Sequence, residues 1–368
     1  MDIRQVGSRK DLDNFINLPH RIYSKDPLFV PQLEKELRSR FSEKNPFFAH
    51  AEVKYFVAEK NGRSIGRIVS VFNRRHLEIH QDGAGFFGFF ESVNDPEVSG
   101  RLLDAVCDDL KSKGLKTIRG PMNFSTNEEC GLLIDGFDSA PMLMTPYNPP
   151  YYRDLMEKYG MHKAKDLYAY IYHVREAPPE KVLRVAAICE KRGVSARPVE
   201  KNRFQKEMLI FKEIYNSAWE HNWGFIPLSD DELYSLGERL KQIAVPELML
   251  IAEDKGRPVG FLGLVPDFNS VLRHMKGRLT PVSLLKALFY SRKIAGLRLL
   301  LLGILPEYRN RGVEALLIRE AFRGIKKGGY TKVEFSWVLE ENIPIQRIIE
   351  MADGVLYKTY RIYEKTLA

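Results

Sequence analysis

Two decapeptides 194 residues apart show that this chain repeats itself. Residues 57–66 (VAEKNGRSIG) align without a gap on residues 251–260 (IAEDKGRPVG), with five identical positions and with Val and Ile exchanged at the first and ninth. Each copy is an apolar stretch, a turn that contains Gly and a second apolar stretch, which is the pattern of a β-hairpin. A repeat constrains the fold strongly, because both copies must form the same unit.

A second pair of segments matches at the same offset. Asn148 and Asn342 each precede a helical pattern, which ends at Gly160 in the first copy and at Gly354 in the second. Asn is favoured at helix N-caps and Gly just past helix ends. A length of 368 residues with 44% hydrophobic and 28% charged residues is typical of two globular domains. We therefore predict one domain over residues 1–176 and a second over residues 181–368.

Hydrophobic periodicity predicts the elements of the second copy. Helical spacing is found at residues 206–219, 231–242, 312–327 and 342–351. Strand patterns are found in a hairpin at 248–253 and 258–265 and in further strands at 297–305, 332–338 and 355–364, the last of which is expected to close the sheet of this copy. A hairpin followed by alternating strands and helices predicts an α/β fold, in which each domain is a mixed twisted sheet with helices on both faces.

The positive charge is concentrated in one part of the chain. The net charge is +8, and the window between Asp267 and Glu307 contains basic residues but no acidic one. Such an excess indicates an anionic partner, which is a phosphate-bearing cofactor, a nucleic acid or a membrane surface. Within the window, Thr280 is placed as a helix N-cap before an apolar stripe flanked by lysines. Segment 271–294 is therefore a candidate for peripheral contact with a membrane surface, and a helix packed on its own domain is the other reading that the pattern allows.

Cysteine usage and hydropathy bear on the compartment. Cys107, Cys130 and Cys189 are too few and too scattered for a disulfide framework or a four-ligand zinc site, so no metal cofactor is expected. The N-terminus is charged and the longest apolar run covers only residues 299–305, which predicts neither a signal peptide nor a spanning helix. The expected location is the cytoplasm, with peripheral contact at the inner membrane surface as an extension.

The most specific local signal is the segment 306–312 (PEYRNRG), between an apolar strand and a helix. The first N–H groups of a helix have no internal partner, and the helix dipole makes that end positive. A glycine such as Gly312 lets a diphosphate approach the backbone, while Arg309 and Arg311 add charge. The segment predicts a pyrophosphate site; the alternative is a plain turn with solvated arginines.

This segment resembles the coenzyme A pyrophosphate loop of the GCN5-related N-acetyltransferase (GNAT) superfamily, in which Arg/Gln-x-x-Gly-x-Gly/Ala follows the fourth strand. The resemblance covers residues 199–364 and implies coenzyme A or acyl-CoA as co-substrate. The residues expected to contact it are Leu302, Ile304, Arg309, Asn310, Arg311, Gly312, Val313 and Asn342. The first copy carries residues 94–97 (NDPE) in place of the loop, so it resembles a GNAT domain without cofactor chemistry, and the whole chain resembles a tandem arrangement.

Two positions depart from the family pattern. Glu314 stands where the loop ends in Gly or Ala, which brings a carboxylate near the expected diphosphate. Ile349 stands where many members carry the Tyr that protonates the leaving thiolate, so the acid is unassigned.

The resemblance implies that a primary amine attacks a thioester whose carbonyl is polarised by backbone N–H groups near Leu302 and Ile304. A base must remove a proton from the attacking ammonium group. The two candidates are Glu334, on the strand after the pyrophosphate helix, and His221, which lies between two tryptophans. The alternatives are a solvent-facing strand residue for Glu334 and a partly buried, hydrogen-bonded histidine for His221.

A narrower resemblance concerns the acceptor. The tandem layout, the run 123–131 (NFSTNEECG) and the segment 222–225 (NWGF) are similar to the bacterial ceramide-synthase-like group, which transfers a long-chain acyl group from a thioester to a sphingoid base. It implies an N-acyltransferase with a small-molecule or lipid amine as acceptor. A polar run between apolar strands faces solvent or lines a site, so Asn127, Glu128 and Trp223 are substrate-binding candidates.

Two other functions are compatible with the sequence. A tandem GNAT-like transferase that uses aminoacyl-tRNA would also be basic, but we find no RNA-recognition motif with interleaved aromatics, so no specific nucleic acid is expected. A degenerate fold that binds a ligand without catalysis would be consistent with Glu314 and Ile349.

Overall fold

The computed structural model describes residues 1–220 and 222–367. The first half contains β1 (Asp2–Gln5), α1 (Arg9–Ile22), α2 (Glu34–Arg40), β2 (Ala51–Lys60), β3 (Arg63–Asn73), α3 (Arg74–His80), β4 (Ala84–Ser92), α4 (Pro96–Ser112), β5 (Thr117–Gly120), β6 (Leu132–Asp135), α5 (Tyr152–Lys158) and β7 (His162–His173). The second half contains α6 (Glu180–Lys191), β8 (Val194–Pro198), α7 (Phe204–Trp219), α8 (Asp230–Lys241), β9 (Met249–Asp254), β10 (Arg257–Pro266), α9 (Asn269–Met275), α10 (Pro281–Ser291), β11 (Gly296–Ile304), α11 (Val313–Gly328), β12 (Lys332–Leu339), α12 (Ile343–Met351) and β13 (Val355–Thr366). Each predicted element of the second copy is present, with bounds that differ by two residues at most.

The repeated hairpins are β2–β3 and β9–β10, as predicted. Both turns consist of two residues with positive φ, Asn61 and Gly62 in the first and Lys255 and Gly256 in the second. This backbone matches the twist of two antiparallel strands and is the reason that Gly stands at the second turn position in each copy.

Helices cover both faces of the sheet, which is the α/β architecture expected. Neighbouring residues of a strand point to opposite faces. On β10, Phe261 packs against Phe211 of α7, while a side chain at Gly260 would meet Val313 and Leu317 of α11. Helices α11 and α7 therefore lie on opposite sides of the same strand.

The strands of both halves form one continuous sheet. Its order is β1-β2-β3-β4-β5-β13-β7-β12-β11-β10-β9-β8, and β6 pairs with β13. The two halves exchange their last strands. β7, from the first half, pairs with β12 of the second half, and β13, from the second half, lies between β5 and β7 of the first half. The expectation that residues 355–364 close the sheet of the second copy is wrong, because β7 takes that place. The division between residues 176 and 181 stays a prediction, and the sheet is continuous across it.

The two asparagines of the second repeat do different things. Asn342 caps α12 as predicted, and its side chain accepts a hydrogen bond from the Ile345 N–H. Asn148 does not cap α5, which begins at Tyr152. Its buried side chain instead accepts from the Leu133 N–H at 2.7 Å and donates to the Leu133 carbonyl at 3.0 Å. The Asn148 side chain thus makes the two hydrogen bonds to Leu133 of β6 that a neighbouring strand would otherwise make. The helix-cap pattern in the sequence does not indicate this role.

Three further expectations concern what the fold contains. All three cysteines are free and buried. Among the described residues there is no group of three or more His, Cys, Asp or Glu side chains that could hold a metal ion. In the same ranges, no helix combines the length and the hydrophobicity that crossing a bilayer requires.

Candidate active site

The sheet opens between β11 and β12. The parallel ladder between these strands runs from Gly296 with Lys332 to Leu299 with Phe335 and ends there. β11 continues to Ile304, paired along its other edge with β10. Past Leu299, the edge of β11 that faces β12 therefore carries backbone groups without a strand partner. Leu302 and Ile304, the residues predicted to polarise a thioester carbonyl, lie on this stretch.

The loop after β11 ends in a helix N-terminus that no side chain of the described residues caps. Asn310 and Gly312 take the left-handed conformation, with φ of 59° and 86°, and α11 begins at Val313. In the first copy, the Asp95 carboxylate caps the corresponding helix α4 by accepting from the Glu97 N–H at 2.9 Å. Free N–H groups at a helix start favour an anion. The helix starts of the two copies thus differ: Asp95 caps α4, whereas no described side chain caps α11.

Two arginines project from this loop. Arg309 is exposed and donates to the Ala218 carbonyl at the end of α7 at 3.2 Å. Arg311 is exposed, and its guanidinium carbon lies 5.0 Å from the centre of the Tyr308 ring. Both guanidinium groups keep donors free for an anion at the start of α11.

Gly312 is required for a reason other than the one expected. A Cβ at this position would lie 2.8 Å from Cγ1 of Val185, on α6, and the positive φ disfavours other residues. Helix α6 therefore packs against this glycine, so the absence of a side chain serves packing; the approach of a diphosphate here stays a prediction. Burial raises the pKa of the Cys189 thiol. The charge of Glu314, in the first turn of α11, raises it further.

A cavity of about 260 Å³ lies between helices α7 and α8 and the sheet. Its floor is formed by residues of six adjacent strands, in the order β9, β10, β11, β12, β7 and β13, among them Met249, Gly263, Leu301, Trp337, Leu167 and Ile362. Its roof consists mainly of apolar side chains of the two helices, among them Met208, Phe211, Tyr215, Trp219, Leu236 and Leu240. Because adjacent strands are about 4.8 Å apart, the six strands that line the cavity span roughly 24 Å. It is a long and narrow apolar space.

The three predicted substrate-binding residues all line this cavity. Asn127, however, has both ends of its amide occupied. Its Oδ1 accepts from the Tyr215 hydroxyl at 2.6 Å, and its Nδ2 donates to the Ile226 carbonyl at 3.0 Å. Asn127 therefore joins the first half to the second and shapes the wall of the cavity.

Glu128 and Trp223 complete this wall. The Glu128 carboxylate lies between Arg40 at 3.1 Å and Arg239 at 3.0 Å, so both of its oxygens are paired. Trp223 has Arg119 and Lys165 near its ring, at 5.4 and 5.7 Å from the ring to the charged group. Glu128 thus holds α8 in place, while Trp223 adds an aromatic surface.

Glu334 lies at the centre of a buried polar network beside the opening. Parallel pairing sets it opposite Arg298, and the Arg298 Nε is 3.5 Å from Glu334 Oε1. The Ser336 hydroxyl donates to the same oxygen at 2.6 Å, and the Tyr357 hydroxyl donates to the other. Glu334 has no exposed surface at all, so the alternative of a solvent-facing strand residue is wrong. Its carboxylate is surrounded by Arg298 of β11, Ser336 of β12 and Tyr357 of β13, which only the long-range arrangement of these strands brings together.

Burial shifts the proton equilibria around this network. It lowers the pKa of Arg298, while the Glu334 charge acts in the opposite direction. It raises the pKa of Tyr357, and the Glu334 charge adds to that effect. It also raises the pKa of Asp267 to about 6. These shifts are typical of active sites but also of structural ion pairs.

The network meets the cavity at two side chains, Arg298 and Ser336. Glu334 itself does not line the cavity, so a proton could reach it from there only through a neighbour. The Ser336 hydroxyl is that neighbour, because it contacts both Glu334 and, at 2.8 Å, the Arg298 Nε. His221, the second predicted base, lies outside the described residues.

Sequence analysis missed Arg298, Ser336 and Tyr215. One signal was available: Arg298 is the only charged residue in the otherwise apolar strand β11. A buried charge must be paired, so this position indicated an acidic partner on a neighbouring strand. No comparable pattern marked Ser336 or Tyr215.

Comparison with known proteins agrees with this geometry. The acetyltransferase (GNAT) family matches residues 209–351. Protein YghO of Escherichia coli (strain K12) is 34% identical over 372 residues, which cover 99% of this chain and 95% of that protein. A protein named bacterial ceramide synthase, from Caulobacter vibrioides (strain NA1000 / CB15N), is 34% identical over 378 residues, which cover 100% of this chain and 98% of that protein.

Solved structures give the same fold over the whole chain. A tandem GNAT protein from the clavulanic acid biosynthesis pathway aligns with a TM-score of 0.59 at 9% identity and covers 100% of this chain and 98% of its own. A GCN5-related N-acetyltransferase from Sphaerobacter thermophilus aligns with a TM-score of 0.55 at 14% identity, covering 100% and 95%. At such low identity these likenesses concern the fold alone. Together with the relatives, they show that the chain belongs to the acetyltransferase (GNAT) family as a tandem GNAT N-acyltransferase.

Proposed function

We propose that this protein transfers a long-chain acyl group from acyl-CoA to the primary amine of a sphingoid base. The observation that carries the proposal is the apolar cavity of about 260 Å³ beside the opening between β11 and β12. This volume is just below the range of roughly 300–1,000 Å³ for small-molecule sites, but the six strands that line the cavity span roughly 24 Å, which suits an extended alkyl chain. The relative named bacterial ceramide synthase supports the same substrate class.

The residues of the loop after β11 fit a coenzyme A diphosphate. The uncapped N–H groups at the start of α11 favour an anion, and Arg309 and Arg311 supply two guanidinium groups. When bound, acyl-CoA supplies the activated acyl group as a thioester. Backbone N–H groups on the free edge of β11, near Leu302 and Ile304, would then stabilise negative charge on the carbonyl oxygen.

The proton of the attacking amine would leave through Ser336. Ser336 lines the cavity and its hydroxyl already donates to Glu334 Oε1, so it can pass its proton to the carboxylate while it accepts one from the amine. Arg298 holds both side chains by contacts with Ser336 and Glu334. In this scheme Glu334 acts as the base without touching the substrate.

Chain-length dependence tests the proposal. We expect thiol release from long-chain acyl-CoA in the presence of a sphingoid base, and little release with acetyl-CoA and small amines. The variant Leu301→Trp fills the middle of the cavity floor, so it should lose long-chain turnover and keep any turnover of short acyl groups. Thermal unfolding of the variant controls for overpacking, which typically costs about 1–3 kcal/mol.

Other outcomes of this assay would contradict the proposal. Turnover of acetyl-CoA with small amines alone would make the protein a generic acetyltransferase. Absence of thiol release from every acyl-CoA, with steeply salt-dependent binding of aminoacyl-tRNA, would favour the RNA-dependent alternative. Absence of both would favour a binding protein without catalysis.

A second experiment tests the use of acyl-CoA. We expect Arg309→Gln/Arg311→Gln to raise the KM for acyl-CoA about tenfold or more, because a hydrogen bond to a charged group contributes about 1.5–3 kcal/mol. The matched control is Arg257→Gln, which removes a nearby exposed guanidinium that pairs with Glu307 at 2.8 Å. An equal rise in KM for both variants would show only a general loss of positive charge. An unchanged KM for both would show that the diphosphate does not bind at this loop.

A further inference from the structure

Helices α9 and α10 form an insertion between β10 and β11, and α9 anchors it to the first half of the chain. Val271, Leu272 and Met275 of α9 are buried in a small cluster with Val30. The side chain of Asn269 donates to the Pro141 carbonyl at 3.0 Å. Since α9 is held from both sides, the position of the insertion is fixed by packing.

Helix α10 begins as the sequence predicts. The Thr280 side chain accepts from the Ser283 N–H at 3.1 Å, and the Ser283 hydroxyl oxygen accepts from the Thr280 N–H at 2.7 Å. One face of α10 packs on α9, where the Tyr290 ring stacks on His274 with a centroid distance of 3.6 Å and Ala287 joins the buried cluster. This face of α10 is thus packed against the rest of the protein.

The opposite face of α10 is apolar, and none of the residues that the structure describes covers it. Its five large apolar side chains are between 55% and 68% exposed: Val282, Leu284, Leu285, Leu288 and Phe289. At 100° per residue they occupy one continuous arc of about 160°. Exposed apolar surface of this kind on a soluble domain marks an interaction site.

The charge beside this arc is uniformly positive. Lys286 borders the arc, and the Lys293 ammonium group lies 4.1 Å from the centre of the Phe289 ring. The sequence has no acidic residue between Asp267 and Glu307. An apolar arc flanked by cations complements a surface that is apolar inside and anionic outside, which describes a bilayer with anionic lipids.

We propose that α10 docks the protein on the surface of an anionic phospholipid membrane, with the arc from Val282 to Phe289 inserted among the acyl chains and the flanking lysines and arginines at the headgroups. This inference does not depend on acyl transfer, because it requires only the exposed arc and its charge. It gives a lipid-modifying enzyme direct contact with the phase that holds its acceptor.

Vesicle binding by the full-length protein tests this inference. We expect co-sedimentation with vesicles of phosphatidylcholine mixed with phosphatidylglycerol, weaker binding to phosphatidylcholine alone, and release by salt. The variant Leu285→Glu/Leu288→Glu changes only exposed positions and should lower binding about tenfold or more. The matched control, Ile348→Glu/Met351→Glu, places the same charges on exposed apolar residues of α12 and should bind as the unchanged protein does.

Three results would overturn the inference: no binding to anionic vesicles, unchanged binding of the α10 variant, or equal loss in the α12 variant. Sedimentation velocity in the absence of lipid adds a fourth. A dimer that the α10 variant dissociates, without vesicle binding, would show that this face covers a second copy of the chain. Circular dichroism of each variant separates these results from unfolding.

Discussion

Replacing Glu334 by Gln should destabilise the folded protein by about 3–5 kcal/mol, the cost of leaving a buried charge without its partner. The amide keeps the shape of the carboxyl group and can still bond with Ser336 and Tyr357, but it removes the charge opposite Arg298. Arg298 is only 3% exposed, so water cannot take the place of the lost partner. Denaturant unfolding of both proteins measures the difference.

Two further variants make this result interpretable. Glu307→Gln removes the same charge from an exposed ion pair with Arg257, so it should change the free energy of unfolding by less than about 1 kcal/mol. Arg298→Met/Glu334→Met removes both buried charges and should recover most of the lost stability. A change below about 1 kcal/mol for Glu334→Gln would show that the two side chains do not form a charged pair.

Ser336→Ala should reduce kcat for acyl transfer about 100-fold, with little change in KM, because it removes the hydroxyl that relays the proton to Glu334. Arg298 also lines the cavity and contacts Glu334, but a guanidinium group has no acceptor for the proton. The ion pair between Arg298 and Glu334 is retained, so the loss of stability should be limited to about 1 kcal/mol for the hydrogen bonds of one hydroxyl. Steady-state kinetics and denaturant unfolding on the same preparation separate the two effects.

Ser336→Thr is the matched control, since it restores a hydroxyl at the same atom position and should recover much of the rate. If Ser336→Ala turns over at the rate of the unchanged protein, the proton leaves by another route, and His221 is then the next base to replace. A reduced rate in both Ala and Thr variants with equal loss of stability would indicate a structural role alone.

Local patterns in the sequence were sufficient for the elements and for part of the site. The turns at Asn61-Gly62 and Lys255-Gly256 require positive φ, which few residues other than Gly and Asn adopt, so the hairpins could be predicted from these residues alone. The loop before Gly312 and the N-cap at Thr280 depend in the same way on groups within four residues of each other. Such contacts join residues that are close in the sequence, so a local sequence pattern indicates them.

The sequence by itself thus determined the repeat, the strand–loop–helix unit of the second copy and the basic helix α10. The tertiary structure alone decided the placement of β7 and β13, because two apolar strands of similar pattern can exchange partners without any change in their own sequence. It also decided the burial of Glu334, which follows from a register with Arg298 across 36 residues of chain, and the cavity, whose walls at Asn127 and Trp337 meet only after both halves have folded. Packing between distant segments leaves no periodic trace in a sequence, whereas turns and helix ends do.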